Sequence, residues 1–412
     1  MLSTTRMRPT LGKFLSDRVC EMGGQVSQII AAPKLELEHR PRVGHQYPKA
    51  IMTTGAVTIP NYHVDNLGQQ DRTGELAVSS HNYAGIVIEV DGGAFHFRQL
   101  HSNKKGEFYD INPLKGGADF FTPQGVFHKP DGVNAIFCGD WHVGKTDKAV
   151  RQATFGERGI VDVLKPKEIV LQDFVDCDSV GHYEQKQAVR RAYKGPLQWD
   201  SLERELLAGE VELRWIQSRT TATINVIAAN HPEHITQYIE QLLWVKDNRN
   251  LGIGARMFVD MLDDMENRKP NKIKAKPTDP VVLWFRKRFP GVNIIERQDK
   301  LLLPRNSKNP ILCSMHGDIG VRGKRAGGLK EFKKMNIRIF LGHDHAAAIF
   351  ETIWRVGTST HRTAFYVTNP ATNWTQTHGL IFENGQRQLM NIVKGRWYGK
   401  RWVPAPEKDS VK

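Results

Sequence analysis

The sequence predicts a mixed α/β (α+β) protein, and two patterns carry that expectation. Five short apolar runs, NAIFCGD, KEIVLQD, TINVIAANH, PILCSMHGD and IRIFLGHDH, each end in a polar cluster and are separated by stretches of helical periodicity. Ahead of them, residues 50–110 alternate or cluster β-branched and aromatic residues between Gly, Asn and Asp turns, as strands do. A chain of 412 residues that is 40% hydrophobic can bury a substantial core, and it is too long for one ordinary small domain.

In chain order, residues 1–50 combine a short helix from Phe14 to Ile30 with Pro-containing coil. AIMTTGAVTI follows as a strand, and GIVIEVDGGAFHFRQL reads as a hairpin turning at Asp91-Gly92-Gly93. Residues 1–132 are therefore expected to form a β-rich N-terminal domain, with the Gly- and Pro-rich stretch 111–132 as a linker. Residues 133–402 form the second domain. Its helices are predicted at Pro196–Gln217, His234–Val245, Ala255–Asn267 and Pro280–Phe289, with residues 234–300 as a helical insertion. Residues 403–412 read as a flexible tail.

Lys and Arg number 58 against 44 Asp and Glu, a net charge of +14 that favours a polyanionic partner. The four cysteines lack CxxC spacing, which argues against a disulfide scaffold and a thiolate zinc site and for a reducing, cytoplasmic compartment. No apolar run approaches the roughly 18–20 residues of a membrane span. The basic, acid-free first sixteen residues lack the apolar core of a secretory signal.

The five apolar runs end in Asp140 and His142, Asp173, Asn230 and His231, His316, and His343 and His345. This set of carboxylate, imidazole and amide groups suits first-row divalent metals and leans toward the harder ones: Mn²⁺ first, with Fe, Zn or Mg as alternatives. In Asp-x-His and His-x-His, an extended backbone puts both side chains on one side. Asp173, alone at its strand end, has two oxygens with which to bridge two ions, and such a pair would clamp the attacking and leaving oxygens of a phosphoryl displacement.

Asp140-x-His142, Asp173, Asn230-His231, His316 and Gly342-His343-x-His345 resemble, in order, the five motifs of the calcineurin-like metallophosphoesterases, over residues 134–350. The resemblance implies a two-sheet β-sandwich flanked by helices. It implies one metal held by Asp140, His142, Asp173 and His345, and a second held by Asp173, Asn230, His316 and His343. It makes His231 the catalytic residue that protonates the leaving oxygen or stabilises the transition state. Two positions depart from the family pattern. Gln172 stands where Gly usually precedes the Asp, and Pro232 stands where an acid usually follows Asn-His, leaving Glu233 or Asp318 to orient His231.

Asp176, Asp178 and His182 could line the phosphate pocket. Basic runs occur at Arg268–Lys276, Trp284–Arg288, Val321–Arg325 (with Arg322, Lys324 and Arg325) and Lys394–Trp402, the last three interleaved with aromatics or Gly, and together they suit phosphate contacts and base stacking. The chain most resembles the SbcD-type nuclease branch, and its terminal blocks resemble phage-encoded proteins carrying this domain, DNA-degrading members among them. That implies a Mn-dependent deoxyribonuclease acting on DNA, with RNA as an alternative, in the host cytoplasm and with homo-oligomers compatible. A phosphatase or small-molecule phosphodiesterase, and a non-catalytic nucleic-acid-binding module, stay open as other readings.

Overall fold

The computed structural model describes residues 2–3, 15, 24–44, 46–62, 72–91, 93–181, 187–267, 277–326, 328–363 and 371–399. It is a mixed α/β structure built on two large sheets.

The first sheet has six strands, in the order Asn293–Ile295, Thr223–Ile227, Glu168–Gln172, Val133–Phe137, Thr377–Phe382 and Arg387–Asn391. The first four run parallel and the last two antiparallel to their neighbours. Its strands are apolar on both faces, as sheets covered on two sides are. Ala135, Phe137, Val170 and Ile227 point to one core, and Ile136, Ile169, Leu171 and Ile224 to another. The second core is closed by the helices Leu202–Ser218, Glu233–Glu240, Leu251–Glu266 and Pro280–Arg288. Three of these match the predicted helices within a few residues. The predicted Pro196–Gln217 helix begins later, at Leu202: Pro196 and Leu197 instead end a separate helix, Ala188–Leu197, because Gln198 turns left-handed (φ 56°) and Ser201 caps the Leu202–Ser218 helix through the amide of Arg204.

The second sheet has nine strands, and it corrects the domain boundary. Glu36–Arg40 pairs with Ala348–Phe350, so strands from the first sixty residues share a sheet with Ile353–Arg355, Ile339–Leu341 and Ile311–Leu312. Leu37, Ala50 and Met52 share one core with Phe137, Phe340, Trp354 and Ile381. The boundary expected at residue 132 therefore does not separate two cores.

The expected linker is also corrected. Ala118–Thr122 and Gly125–Lys129 form an antiparallel hairpin that extends the Phe108–Ile111 strand. Its Gly and Pro residues punctuate tight turns between very short strands. Phe120 stacks on Tyr109 and Phe121 on Phe108, with ring centroids 4.5 and 4.7 Å apart. The hairpin predicted around Asp91–Gly93 forms as Ala84–Asp91 paired with Ala94–His101. Of the expected Phe14–Ile30 helix, Gln28–Ile30 is instead a strand beside Lys49–Thr53, and most of the rest lies outside the described residues.

Candidate metal centre

The predicted ligand residues follow the carboxyl ends of strands in both sheets. In the first sheet, parallel pairing of Val133–Phe137, Glu168–Gln172 and Thr223–Ile227 brings the loops after residues 137, 172 and 227 to one edge. The backbone ladder continues past the strands: the amides of Trp141, His142 and Val143 donate to the carbonyls of Gln172, Asp173 and Phe174. In the second sheet, Ile311–Leu312 and Ile339–Leu341 are parallel, and the Gly342 amide donates to the His316 carbonyl at 2.7 Å. The two edges face each other, and the Asp140 carboxylate accepts from the His343 amide at 2.9 Å.

Five predicted ligands form a tight cluster, with Asp140, His142, Asp173, His316 and His345 all buried. His345 Nε2 lies 3.0 Å from Asp140 Oδ2 and 3.2 Å from His142 Nε2. Asp173 Oδ2 lies 3.5 Å from the Nε2 atoms of His142, His231 and His316 alike. Asp140 groups with His142 and His345, and again with Asp173 and His316, at separations that could hold a metal ion. Asn230 and His343 stand beside this cluster, with Asn230 Oδ1 3.2 Å from His343 Nδ1 and the His343 ring against His316.

The donor atoms fit a cation. Asp140 Oδ1, Asp173 Oδ1 and His316 Nε2 are buried with no hydrogen-bond partner, an arrangement that is costly unless a positive charge lies among them. Burial pushes the His316 and His345 imidazoles below their ordinary pKa, toward the neutral form that metals bind. Despite its burial, Asp140 is held ionised by His316, His345 and His142.

The backbone is strained at the same residues. His142, Asp173, His343 and His345 all have positive φ, at 48°, 46°, 75° and 58°. Non-glycine residues occupy this region at a cost of order 1–3 kcal/mol each.

Around the ligands lies a shell that sequence reasoning resolved only in part. His316 Nδ1 donates to Gln172 Oε1 at 3.1 Å, while the Gln172 amide donates to the Cys138 carbonyl. This interaction turns His316 Nε2 toward Asp173. The signal was a polar residue ending an otherwise apolar strand, since a buried amide needs partners. Gly342 is required beside it, because a Cβ there would sit 2.3 Å from both Asp140 Oδ1 and Gln172 Oε1. Asp176 accepts from Nδ1 of His142 at 2.9 Å and of His231 at 3.1 Å, and it is paired with Lys145. Glu233 and Asp318, the expected partners of His231, are bound to Arg297 instead. Burial pushes the His231 imidazole down, but Asp173 and Asp176 outweigh it and hold the group up at about 10.

A cavity of about 470 Å³ opens over the cluster, lined by His231, Asn230 and His343 with Lys145, Asp178, Arg190 and Arg325. Asp178 also lines it, paired with Lys145 at 2.7 Å. Arg322 and Lys324 are exposed on the turn closed by the Gly320 amide and the Lys324 carbonyl, and they do not line the cavity. His182 lies outside the described residues.

The other basic runs are corrected in part. Arg286, Lys287 and Arg288 pair with Glu296, Asp260 and Glu210, Arg288 lies 3.3 Å over the Trp284 ring, and Trp284 and Phe285 are core residues. This run serves packing, with its cations neutralised by acids that the fold brings to them. Arg396 pairs with Asp91 and Trp397 is buried. Residues 268–276 and 400–412 lie outside the described residues.

No family model matches this chain. It is similar to Protein A1 of Escherichia phage T5, with 26% identity over 379 residues. The alignment covers 90% of this chain and 63% of that relative's length.

Proposed function

We propose that this protein is a two-metal phosphodiesterase of the calcineurin-like kind, acting as a nuclease on DNA. The observation that carries the reading is the buried cluster of Asp140, His142, Asp173, His316 and His345, with unpartnered polar atoms turned into it. Two sheets on a shared core, flanked by helices, are consistent with the two-sheet sandwich that the motif order implies. Similarity to a phage protein is in keeping with a phage-encoded chain acting in a host cytoplasm.

Asp140, His142 and His345 would hold one ion. Asp173 and His316, with Asn230 and His343, would hold the other, and Asp173 would serve both. Bound divalent ions, Mn²⁺ first among them, supply Lewis acidity and a nucleophile active near neutral pH. The protein's own groups do the rest. Asp176 fixes the Nδ1 side of His231, so its Nε2, 3.5 Å from Asp173, is the proton donor to the departing oxygen. Gln172 keeps His316 in the tautomer whose Nε2 faces the cluster. Lys145, Arg190 and Arg325 line the cavity among the acids Asp178, Glu233 and Asp318, and these three cations are the groups there that suit contact with a phosphate backbone.

The test is purified protein with Mn²⁺ on linear, circular and single-stranded DNA, beside p-nitrophenyl phosphate esters, with Asp173→Ala as the control. Metal-dependent DNA cleavage lost in the control is expected. Ester hydrolysis without DNA cleavage at low salt would leave a phosphatase or small-molecule phosphodiesterase, and no hydrolysis at all would leave a binding module.

A further inference from the structure

We infer that a second cavity, beside the metal centre and walled by Tyr193 and Trp199, is a subsite for an unstacked nucleobase next to the phosphate being cleaved. The inference rests on the nuclease reading. This cavity measures about 670 Å³, and Lys145, Asp178 and Arg190 line both it and the cavity over the ligands. A strand with its phosphate at the first would reach the second without leaving protein surface.

The walls have the chemistry of a stacking platform. Tyr193 and Trp199 are large aromatic side chains left 64% and 57% exposed, with ring centroids 6.0 Å apart at an interplanar angle of 76°. Both are held in place by backbone structure. Tyr193 lies on the Ala188–Leu197 helix, and the Trp199 amide donates to the Lys194 carbonyl, closing the turn in which Gln198 is left-handed. Arg190 precedes Tyr193 by three residues on that helix, so both project to the same side. Aromatic faces beside cations are how single-stranded nucleic acid is bound without sequence readout, since every base offers a π-face.

The experiment measures binding, with EDTA present so that no strand is cut. The probe is a short single-stranded oligonucleotide carrying one 2-aminopurine, whose fluorescence is quenched by stacking. Saturable quenching by the full-length protein is expected. Trp199→Ala should weaken binding by about tenfold, with Trp199→Phe close to the parent. The unaltered protein should also bind the same strand with an abasic residue about tenfold more weakly, a comparison that does not depend on any variant folding. Absence of quenching, equal affinity for the abasic strand, or a folded Trp199→Ala protein that binds like the parent would each overturn the subsite. So would sedimentation showing that Trp199→Ala dissociates an oligomer, which would make the aromatic pair a contact between copies. Quenching without Mn²⁺-dependent DNA cleavage would keep the subsite and remove the nuclease reading. Cleavage without quenching would do the reverse.

Discussion

Asp176 holds His231 at two points: its carboxylate Oδ1 lies 3.1 Å from the imidazole Nδ1, and its main-chain carbonyl oxygen lies 2.9 Å from the same nitrogen. The same carboxylate holds His142 Nδ1 at 2.9 Å, so one buried acid orients a metal-facing imidazole and the proposed proton donor together. Asp176→Asn should reduce turnover of a phosphodiester by 10–100-fold, about what losing a partner of a ligand histidine costs. His231→Ala should retain its metal content and lose at least as much turnover, about 10²–10⁴-fold. Metal analysis beside steady-state rates checks both, and full activity in either variant removes that residue from the mechanism.

Metal loading should stabilise the fold, because the ligands come from two sheets and leave buried polar atoms unpartnered. At a hundredfold excess over Kd, Mn²⁺ should add about 2.7 kcal/mol. Calorimetry of EDTA-treated protein before and after Mn²⁺ reads this directly. Asp173→Ala should abolish the shift, and a parent protein indifferent to Mn²⁺, Fe²⁺ and Zn²⁺ would rule out the centre.

Gly342→Ala is predicted to be severe for a single added methyl group. Its Cβ would lie 2.3 Å from Asp140 Oδ1 and from Gln172 Oε1, and both neighbours are buried. Overpacking of this kind costs about 1–3 kcal/mol, and here it also displaces a ligand. Denaturant midpoint and metal stoichiometry should both fall; a variant with unchanged stoichiometry would show that the loop can yield.

His378 ties the centre to pH from behind. Its Nδ1 accepts from the Gly139 amide at 3.0 Å, next to Asp140, so its Nε2 carries the hydrogen donated to Thr154 Oγ1. Burial pushes its pKa down to about 4 from the ordinary 6.5. The folded pKa is therefore the lower one, and the unfolded chain takes the proton first. This residue's contribution to stability is complete above pH 6.5 and is lost as pH falls toward about 4. His378→Gln should be less stable than the parent at pH 7 yet lose less between pH 7 and pH 5. Equal losses in urea titrations at the two pH values would refute the assignment.

What could be read from the sequence was what is local. Every ligand residue closely follows one of five short apolar strands, so strand and ligand are visible in one stretch of chain. The shell was only partly visible. Asp176 stands out in the sequence, but its partnership with His231 depends on how the loop turns through positive φ at Asp173 and Cys177. Pairing of Glu36–Arg40 with Ala348–Phe350 joins segments some three hundred residues apart, and no local pattern announces it. The hairpin at 118–129 was hidden because Gly and Pro mark turns between short strands as readily as they mark linkers. The Trp284–Arg288 run looked available to phosphate because Glu210, Asp260 and Glu296 reach it only in the folded chain.

The left-handed backbone at His142, Asp173, His343 and His345 has a consequence for anyone redesigning or mining such chains. A procedure that ranks residues by local backbone compatibility would put glycine or asparagine at all four positions, and so would erase the centre while raising its score. Disagreement between the residue a backbone favours and the residue the chain retains is thus itself a search signal. Scanned for clusters of acid and imidazole groups held at positive φ, structures without recognisable relatives would surrender sites of this kind with no alignment at all.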